Sequence, residues 1–329
     1  MSAGGRTPSA TVVVPTRDRP ERLAACLAAL ERQTLRGLEI VVVDDGSRRP
    51  AQVSAALAAC PSARLVRLEG RGPSAARNAG ARAARAPTVL FCDDDCEPVP
   101  GWATHLAGAV AAGAPAAAGR TLNGVAGSAL ATASHAVLEG VIDAGRDDRS
   151  GALTFAPTCN LAAGAGLLAA IPFDESYPLA AGEDRDWGAR LAARGLTMTW
   201  VPAAVVVHRH HLSAAGFWLQ HHRYGRGAAR FRAGQGARAR TPGLRRAVLR
   251  RGLAAGARVS ALVAVAQVAT ATGLAREALA HRLDGARGNA RRGRPRRRRW
   301  PAPLPSALCR LFPRARRGGS FVQGHERGL

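Results

Sequence analysis

Four short runs rich in apolar residues recur along the first hundred residues, each separated from the next by a segment of mixed polarity. They occupy residues 10–14, 38–43, 63–68 and 89–92. Runs of this length with many β-branched residues predict buried strands. After the first run, Leu23, Leu27 and Leu30 fall at i, i+4 and i+7, which predicts one face of an amphipathic helix. Such alternation predicts an α/β fold with an open, mostly parallel sheet flanked by helices.

The pattern is weaker in the second half of the chain. Residues 120–152 are rich in Gly, Ala and Asp, and no chemistry can be assigned to them from the sequence. A helix is predicted to begin after Gly182, with Trp187 and Leu191 on one face. Further strands are predicted at 154–161, 197–200 and 204–207.

Acidic residues stand where two of the predicted strands end. Asp44 and Asp45 follow the second run, and Asp93, Asp94 and Asp95 follow the fourth. Open α/β sheets bind ligands at the carboxyl ends of their strands. Three adjacent carboxylates repel one another unless a cation lies among them, and oxygen ligands suit Mg²⁺ or Mn²⁺. A solvated acidic loop that caps the next helix is the alternative interpretation at this point.

Three more segments combine tight turns with polar side chains. Residues 15–17 read Pro-Thr-Arg at the end of the first strand, and residues 70–80 place glycines around an arginine and an asparagine. Residues 182–186 begin a helix with three acids, which the helix macrodipole is sufficient to explain. The first loop lacks the Gly-x-Gly-x-x-Gly turn that holds a pyrophosphate, which argues against a dinucleotide-binding Rossmann start.

Three other protein classes with acidic strand ends lack an essential part in this sequence. A receiver domain requires a later lysine, and the chain contains no lysine. A haloacid-dehalogenase-type phosphatase requires Asp-x-Asp on the first strand, which here ends in Pro-Thr-Arg. Sugar nucleotidyltransferases open with a glycine-rich arginine loop, which is missing as well.

Five short motifs follow one another in order along residues 10–210. They read Val-Pro-Thr-Arg, Asp-Asp-Gly-Ser, Ala-Ala-Arg-Asn-Ala-Gly, Asp-Asp-Asp and Gly-Glu-Asp-Arg-Asp. In this order they resemble the family 2 glycosyltransferases of the GT-A fold. The resemblance implies transfer of a sugar from a nucleotide-sugar donor, with a UDP-sugar favoured, and inversion at the anomeric carbon (EC 2.4 class). It also implies Mg²⁺ or Mn²⁺ as the cofactor.

The resemblance further implies roles for the residues that match its motifs. Asp184 would be the catalytic base that takes the proton from the acceptor hydroxyl. The nucleotide-binding residues would be Pro15, Thr16, Arg17, Asp45, Arg77, Asp93 and Asp94. The metal ligands would be Asp95, Asp93 and His208, with His210 and His211 as neighbours that compete for the last place. Cys92 and Cys96 fall outside this ligand set.

The net charge belongs to one part of the chain. A formal charge of +24 suggests a nucleic-acid binder at first sight. Residues 1–208, however, hold 20 arginines and 20 acidic residues, whereas residues 209–329 hold 27 arginines and 3 acids. The basic charge is therefore confined to the last third, and nucleic acid is not the partner we expect. The expected partners are the nucleotide-sugar donor, an envelope-glycan, lipid-linked or small-molecule acceptor, and an anionic membrane surface.

Three segments are predicted from this division. They are a GT-A domain at 10–210, a helical extension at 211–285 and a disordered, arginine-rich tail at 286–329. Residues 259–275 carry no charge, but as a helix they would reach about 25 Å, short of the roughly 30 Å hydrocarbon core of a bilayer. A packed or interfacial helix is therefore favoured over a span. Residues 291–299 contain seven arginines, which anionic lipid headgroups would attract.

The cysteines and the N-terminus indicate the compartment. The six cysteines form no Cys-x-x-Cys pair, and no secretory signal precedes the first strand. We therefore expect a cytoplasmic protein, peripheral at the inner face of the cell membrane. The alternative is a catalytically inactive GT-A-like domain that binds membranes or nucleic acid through its basic tail. The joint presence of Asp95 and Asp184 argues against that alternative.

Overall fold

The computed structural model of the protein describes residues 7–147, 149–239 and 241–289. Within these ranges the chain forms eight strands and ten α-helices. The strands are β1 (Ala10–Thr16), β2 (Leu38–Asp45), β3 (Ala63–Leu68), β4 (Thr88–Phe91), β5 (Cys96–Pro98), β6 (Ala116–Asn123), β7 (Leu161–Gly164) and β8 (Met198–His208). The helices are α1 (Pro20–Glu31), α2 (Pro50–Ala58), α3 (Pro73–Ala83), α4 (Trp102–Ala111), α5 (Ala129–Ala144), α6 (Ala165–Ala170), α7 (Glu183–Ala192), α8 (Ala214–Gln235), α9 (Leu244–Ala254) and α10 (Ala257–Asn289).

The strands form one mixed sheet in the order β3-β2-β1-β4-β7-β6-β8-β5. The first four are parallel, as the repeated apolar runs predict, and β6 is parallel to β8. Strand β7 runs antiparallel to both β4 and β6, and β5 runs antiparallel to β8. The predicted α/β architecture with flanking helices is confirmed, and antiparallel strands are added in its second half.

Burial on both faces explains why the first two strands were visible in the sequence. Val12, Val13 and Val14 are fully buried, and so are Val41, Val42 and Val43 of β2. Helix α1 buries its predicted leucine stripe against this sheet. Helix α3 lies closer still, since a Cβ at Gly80 would stand 2.2 Å from Cγ1 of Val13. A glycine is required there because any side chain would push the helix off the sheet.

Three strands predicted in the second half of the chain differ from the structure in their bounds. The strand expected at 154–161 begins only at Leu161, because a single 3₁₀ turn precedes it at Thr158–Asn160. The side chain of Asn160 is buried there and bonds the Trp102 indole and two backbone carbonyls. The strands expected at 197–200 and 204–207 are one strand, β8, whose register against β6 shifts between Gly119 and Arg120. The weakly patterned stretch 120–152 contains helix α5.

The C-terminal helices pack onto the sheet-bearing part of the chain. A second apolar cluster joins α5, α8, α9 and α10 through Val137, Phe217, Val248 and Val263. Helix α8 also contacts α7, where the Arg185 guanidinium lies 4.9 Å from the centre of the Phe231 ring. The predicted helical extension is thus present and continuous with the rest of the fold. Helix α10 runs to residue 289, into the predicted tail, while residues 290–329 of that tail lie outside the described residues.

Candidate functional site

The acidic turn after β4 meets the end of β8 through strand pairing. Strand β5 follows the turn immediately and pairs antiparallel with β8, which places Cys96 opposite His208. The backbone N–H of Arg209 donates to the Asp95 carbonyl at 2.8 Å. As a result, Nε2 of His208 lies 3.2 Å from Oδ1 of Asp95. Two of the predicted metal ligands, distant in sequence, are therefore neighbours in space.

Cations surround the Asp95 carboxylate. Its Oδ2 accepts from Nη1 of Arg22 at 3.2 Å and from Nη1 of Arg19 at 3.4 Å. Burial opposes ionisation, but the hydrogen bond and charge of His208 and the charges of the two arginines hold the pKa of Asp95 below its usual range. Asp95 is therefore a carboxylate at any physiological pH, which a metal ligand must be.

The neighbouring groups decide which metals this set could hold. One ligand atom from each of Asp95, Cys96 and His208 lies within 4.8 Å of the others. Burial raises the pKa of the Cys96 thiol well above its ordinary value, so this sulfur stays protonated and is a poor ligand. The remaining donors are carboxylate oxygen and imidazole nitrogen, a set compatible with Mn²⁺.

Among the three histidines at the end of β8 and just after it, only His208 contacts the acidic turn directly in the described residues. The His210 ring stacks on His208 with 4.1 Å between ring centres, and both of its nitrogens lack a hydrogen-bond partner among the described residues. His211 is exposed to solvent. Of the three histidines that could be the further metal ligand, His208 is therefore the one beside Asp95, and His210 packs against its ring.

A buried arginine joins the acidic turn to the start of α7. Nη2 of Arg77 donates to Oδ1 of Asp93 at 3.1 Å, and Nη1 donates to Oε1 of Glu183 at 2.9 Å. Arg77 and Glu183 are each only 3% exposed, whereas the Asp93 side chain is 32% exposed. Asp93 is thus the member of this group that solvent or a ligand can reach. Arg77, which was predicted to lie near the nucleotide, is buried and contacts the partly exposed Asp93.

Asp184, next to Glu183, lies in a different environment. It is partly buried at the first turn of α7, and its Oδ1 accepts from the backbone N–H of Arg185 at 2.8 Å. With the described residues it forms no ion pair. Burial, followed by the negative charge of Glu183, raises the pKa of Asp184 to about 7. A carboxylate of this pKa can both hold and release a proton near neutral pH.

The residues predicted to line the nucleotide divide into two groups. The first group bonds inward: Asp94 is 3% exposed and accepts from Oγ1 of Thr16 at 2.8 Å and from Nη1 of Arg19 at 3.0 Å. Burial raises the pKa of Asp94 to about 6 against the opposing charge of Arg19. The side chains of Asp94 and Thr16 therefore hold each other rather than facing solvent.

The second group lies where β2 and β3 end. The two oxygens of Asp45 accept from the backbone N–H groups of Arg71 and Gly72 at 2.7 and 2.8 Å. A Cβ at Gly46, whose φ is +77°, would stand 2.7 Å from the Gly70 nitrogen, so the two loops touch. Arg17 is exposed, and its Nη1 lies 3.3 Å from where a Cβ of Gly70 would stand. Pro15 is half-buried in β1, opposite Val43 of β2. Asp45 thus closes the loop that leads into α3.

Sequence reasoning missed Arg19 and Arg22, the two cations that reach the acidic turn from the start of α1 and the residue before it. Each stands a few residues after the Pro-Thr-Arg motif, so their proximity to that motif was the only signal. Their contacts depend on β1 and β4 being neighbours in the sheet. It also missed the Arg77–Glu183 pair, for which the sequence contains no local signal.

The chain is similar in sequence to known glycosyltransferases. Residues 11–148 match the family described as glycosyl transferase family 2. Over 230 residues the chain is 30% identical to the pre-mycofactocin glycosyltransferase of Mycobacterium tuberculosis, covering 67% of this chain and 46% of that protein. Over 97 residues it is 33% identical to an uncharacterized glycosyltransferase of Bacillus subtilis, covering 30% of this chain and 36% of that protein. The chain spans less than half the length of these curated relatives.

Solved structures share the fold. A mannosyltransferase from Pyrobaculum calidifontis, in complex with GDP-Man and Mn²⁺, superposes with a TM-score of 0.55 at 20% identity and covers 87% of this chain and 80% of its own. Residues 1–349 of TarS from S. aureus, in complex with UDP-GlcNAc, give 0.50 at 16% identity and cover 84% and 92%. Identities this low bear on the fold alone, and the predicted GT-A type is confirmed.

Proposed function

The chain belongs to glycosyl transferase family 2, and we propose that it transfers a sugar from a nucleotide-sugar donor to an acceptor hydroxyl with inversion at the anomeric carbon. The observation that carries this proposal is the Arg77 bridge, in which one buried guanidinium binds both Asp93 and Glu183. The bridge connects the acidic turn after β4 to the N-terminus of α7. The bridge therefore links Asp93, in the acidic turn, to Glu183, the residue next to Asp184.

Asp184 is the proposed catalytic base. It would accept the proton of the acceptor hydroxyl as that oxygen attacks the anomeric carbon from the side opposite the leaving group. Glu183 cannot compete for this role, because it is buried and its charge is engaged by Arg77. A pKa near 7 supports the assignment, since a base is most effective when its pKa lies near the working pH.

Asp95, Asp93 and His208 are the proposed ligands of a divalent cation. The 3.2 Å approach of His208 to Asp95 and the exposure of Asp93 support this set. Mg²⁺ prefers oxygen ligands alone, so the imidazole favours Mn²⁺. When bound, the cation would neutralise charge on the departing nucleoside diphosphate.

Pro15, Arg17 and Asp45 are proposed to form the wall against which the nucleotide lies, with Thr16 behind it, where its hydroxyl holds Asp94. The contact between the Gly46 and Gly70 loops supports a closely fitted surface at this edge. Asp94 would act indirectly, because its oxygens are bonded to Thr16 and Arg19. A UDP-sugar is the favoured donor and is tested first, with GDP-sugars beside it.

The acceptor is proposed to be an envelope glycan or a lipid-linked or small molecule, with the protein at the inner face of the cell membrane. Support comes from the C-terminal helices, which contact α7 and expose apolar and basic side chains. In the described residues one helix, at Ala257–His281, is long and apolar enough to cross a membrane by length and composition.

The direct test is release of nucleoside diphosphate by the full-length protein from UDP- and GDP-sugars, with and without Mn²⁺. The protein is expected to turn over one donor class in a metal-dependent manner. Asp184→Asn should keep donor binding and lose transfer by at least about 100-fold, since it removes general base catalysis. Asp147→Asn, at an exposed aspartate far along the chain, is the matched control and should retain wild-type rates.

Two outcomes would change the conclusion. Wild-type transfer by Asp184→Asn would remove Asp184 as the base. Failure to bind or turn over any nucleotide-sugar, with or without metal, would favour the inactive GT-A-like domain that binds a membrane or nucleic acid through its basic segment.

A further inference from the structure

Helix α10 has two different faces. One face packs on α8 and α5 and recurs every three to four residues at Val259, Val263, Ala266, Ala269, Gly273 and Glu277. The opposite face is exposed, and between Arg258 and Arg276 it carries no charge. Its exposed members are Ala261, Ala264, Val265, Val268, Ala271, Thr272, Ala275 and Leu279. An exposed apolar stripe of this length indicates a binding surface for a membrane or another protein.

The packed face holds α10 along the domain. Its Glu277 is 3% exposed and accepts from the guanidinium groups of Arg226 and Arg230 on α8. A Cβ at Gly225 would stand 1.9 Å from the Thr270 carbonyl, so the two helices touch backbone to backbone. Crossing a bilayer would separate the buried Glu277 from Arg226 and Arg230, and breaking a buried ion pair in this way is strongly destabilising. Helix α10 therefore lies on its side.

Helix α9 adds charge to the same region of the chain. Leu249 and Leu253 are exposed, the latter by 71%. They share an open groove with the exposed side chains of Arg245 and Arg246. Among the described residues neither arginine has an acidic partner, and α9 itself contains no acid. Apolar and cationic side chains on one helix are the composition of a helix that lies in a membrane interface.

We propose that the exposed sides of α9 and α10 form a docking surface for an anionic lipid bilayer, with α10 parallel to the membrane plane. This α9–α10 surface consists of Leu249, Leu253, Val265, Val268 and Leu279, together with Arg245 and Arg246. The apolar side chains enter the boundary between headgroups and acyl chains, about 5–10 Å deep for helices of this kind. The arginines contact lipid phosphates.

Charge selects the bilayer over a second copy of the chain. A symmetric dimer through this surface would bring the same patch against itself, so Arg245 and Arg246 would approach the partner's basic side chains. Headgroups of acidic lipids are instead complementary to them. The seven arginines at 291–299 follow the same helix along the chain and add to that attraction.

The docking surface is one helix away from the candidate base. Helix α10 packs on α8, and Gly227 of α8 packs on Ala181, where a Cβ would stand 2.1 Å from the carbonyl oxygen. Ala181 lies three positions before Asp184 at the start of α7. If the proposed function holds, an acceptor carried by a lipid at the membrane would reach the site from this side; lipid binding itself does not depend on that function.

The test is co-sedimentation of the full-length protein with vesicles of phosphatidylcholine alone and of phosphatidylcholine with phosphatidylglycerol. The wild type is expected to sediment with the anionic vesicles only. The double variants V265E/V268E and L249E/L253E should lose binding roughly tenfold or more, and R245Q/R246Q should bind less well and with a weaker response to salt. The double variant A55E/A58E places the same two charges at exposed helical positions in α2 and should bind as wild type.

Folding and activity are followed in parallel. Each variant should keep its thermal midpoint and its lipid-free nucleotide-sugar hydrolysis, so a misfolded variant is recognised. Undiminished vesicle binding by V265E/V268E and L249E/L253E would assign binding to the 291–299 segment and overturn the proposal. So would a lipid-free dimer, seen by sedimentation velocity, that these variants dissociate. The two proposals can fail separately. If the variants lose vesicle binding but neither they nor the wild type hydrolyses a nucleotide-sugar, the docking surface stands and the proposed function is wrong.

Discussion

Two adjacent carboxylates at the start of α7 differ in what they contact. Glu183 is paired with the buried Arg77, whereas Asp184 accepts a backbone N–H and has its pKa raised to about 7 by burial and by Glu183. The resemblance of Gly-Glu-Asp-Arg-Asp to a family motif was sufficient to nominate Asp184. The motif could not show why Asp184 rather than Glu183 is available as a base, because that depends on the contact between Arg77 of α3 and Glu183 of α7.

The raised pKa of Asp184 predicts a pH profile. A base must be deprotonated to accept a proton, so kcat/KM should rise with pH through about 7 and level off above it. The measurement is kcat/KM from about pH 5.5 to about 9, with donor binding followed separately to exclude titration of the nucleotide. Asp147→Asn should reproduce the wild-type profile. If kcat/KM is independent of pH, or falls as the pH rises through about 7, Asp184 is not the base.

The Arg77 bridge predicts a large loss of stability when the guanidinium is removed. Arg77→Met leaves Asp93 and the buried Glu183 without their cation, and breaking a buried pair in this way costs about 3–5 kcal/mol of unfolding free energy. Urea denaturation followed by circular dichroism measures the change. Arg85→Met is the matched control: its side chain is 67% exposed, and its partner Glu39 keeps Arg64. The control should lie within about 0.5 kcal/mol of wild type. Equal effects in both variants would mean that the bridge is not a buried interaction.

At the level of elements, burial on both faces made strands β1, β2 and β4 recognisable in the sequence, whereas β7 was not. Strands β1 and β2 are continuous valine-rich runs because helices cover both sides of the sheet. Strand β7 reads Leu-Ala-Ala-Gly, which has no β-branched residue, and the more strand-like stretch before it is held in a turn by the buried bonds of Asn160. Propensity failed there because tertiary contacts decided the conformation.

The contact between α8 and α10 predicts opposite effects for two glycines of one helix. Gly225→Ala would force a Cβ against the Thr270 carbonyl, now 1.9 Å from that position, and overpacking of this kind costs about 1–3 kcal/mol. Gly234→Ala, where the Cβ would meet no atom within 4 Å, should instead stabilise the protein by up to about 1 kcal/mol through helix propensity. Urea denaturation of both variants measures the difference. Destabilisation of the same size at both positions would show that helix packing is not the cause.

At the scale of the whole molecule, the excess positive charge and the candidate site belong to different parts of the chain, but helices of the basic part pack against α7. The sequence predicted the separation, since the acids belong to residues 1–208 and the excess arginine to the remainder. It did not predict that the basic helices pack against α7, because Gly227, Phe231 and Gln235 make those contacts through spacing that any buried helix could show. The start of α7, which carries the proposed base, is therefore packed against the segment that carries the excess positive charge.

The proposed site for a metal ion and a nucleotide predicts that the stability of the whole protein depends on the two ligands together. A ligand that binds only the folded state raises the free energy of unfolding by RT ln(1 + [L]/Kd), so saturation at 100 times Kd gives about 2.7 kcal/mol. The preferred nucleoside diphosphate should raise the thermal midpoint with Mn²⁺ present and much less with EDTA, because Asp95, Asp93 and His208 would hold a cation that neutralises the charge of its phosphates. His208→Ala removes the imidazole beside Asp95 and should abolish most of the metal-dependent shift. His211→Ala, at the exposed neighbour, should keep all of it. A shift of equal size in EDTA would mean that the nucleotide binds without a metal, and the assignment of Asp95, Asp93 and His208 as ligands would then be wrong.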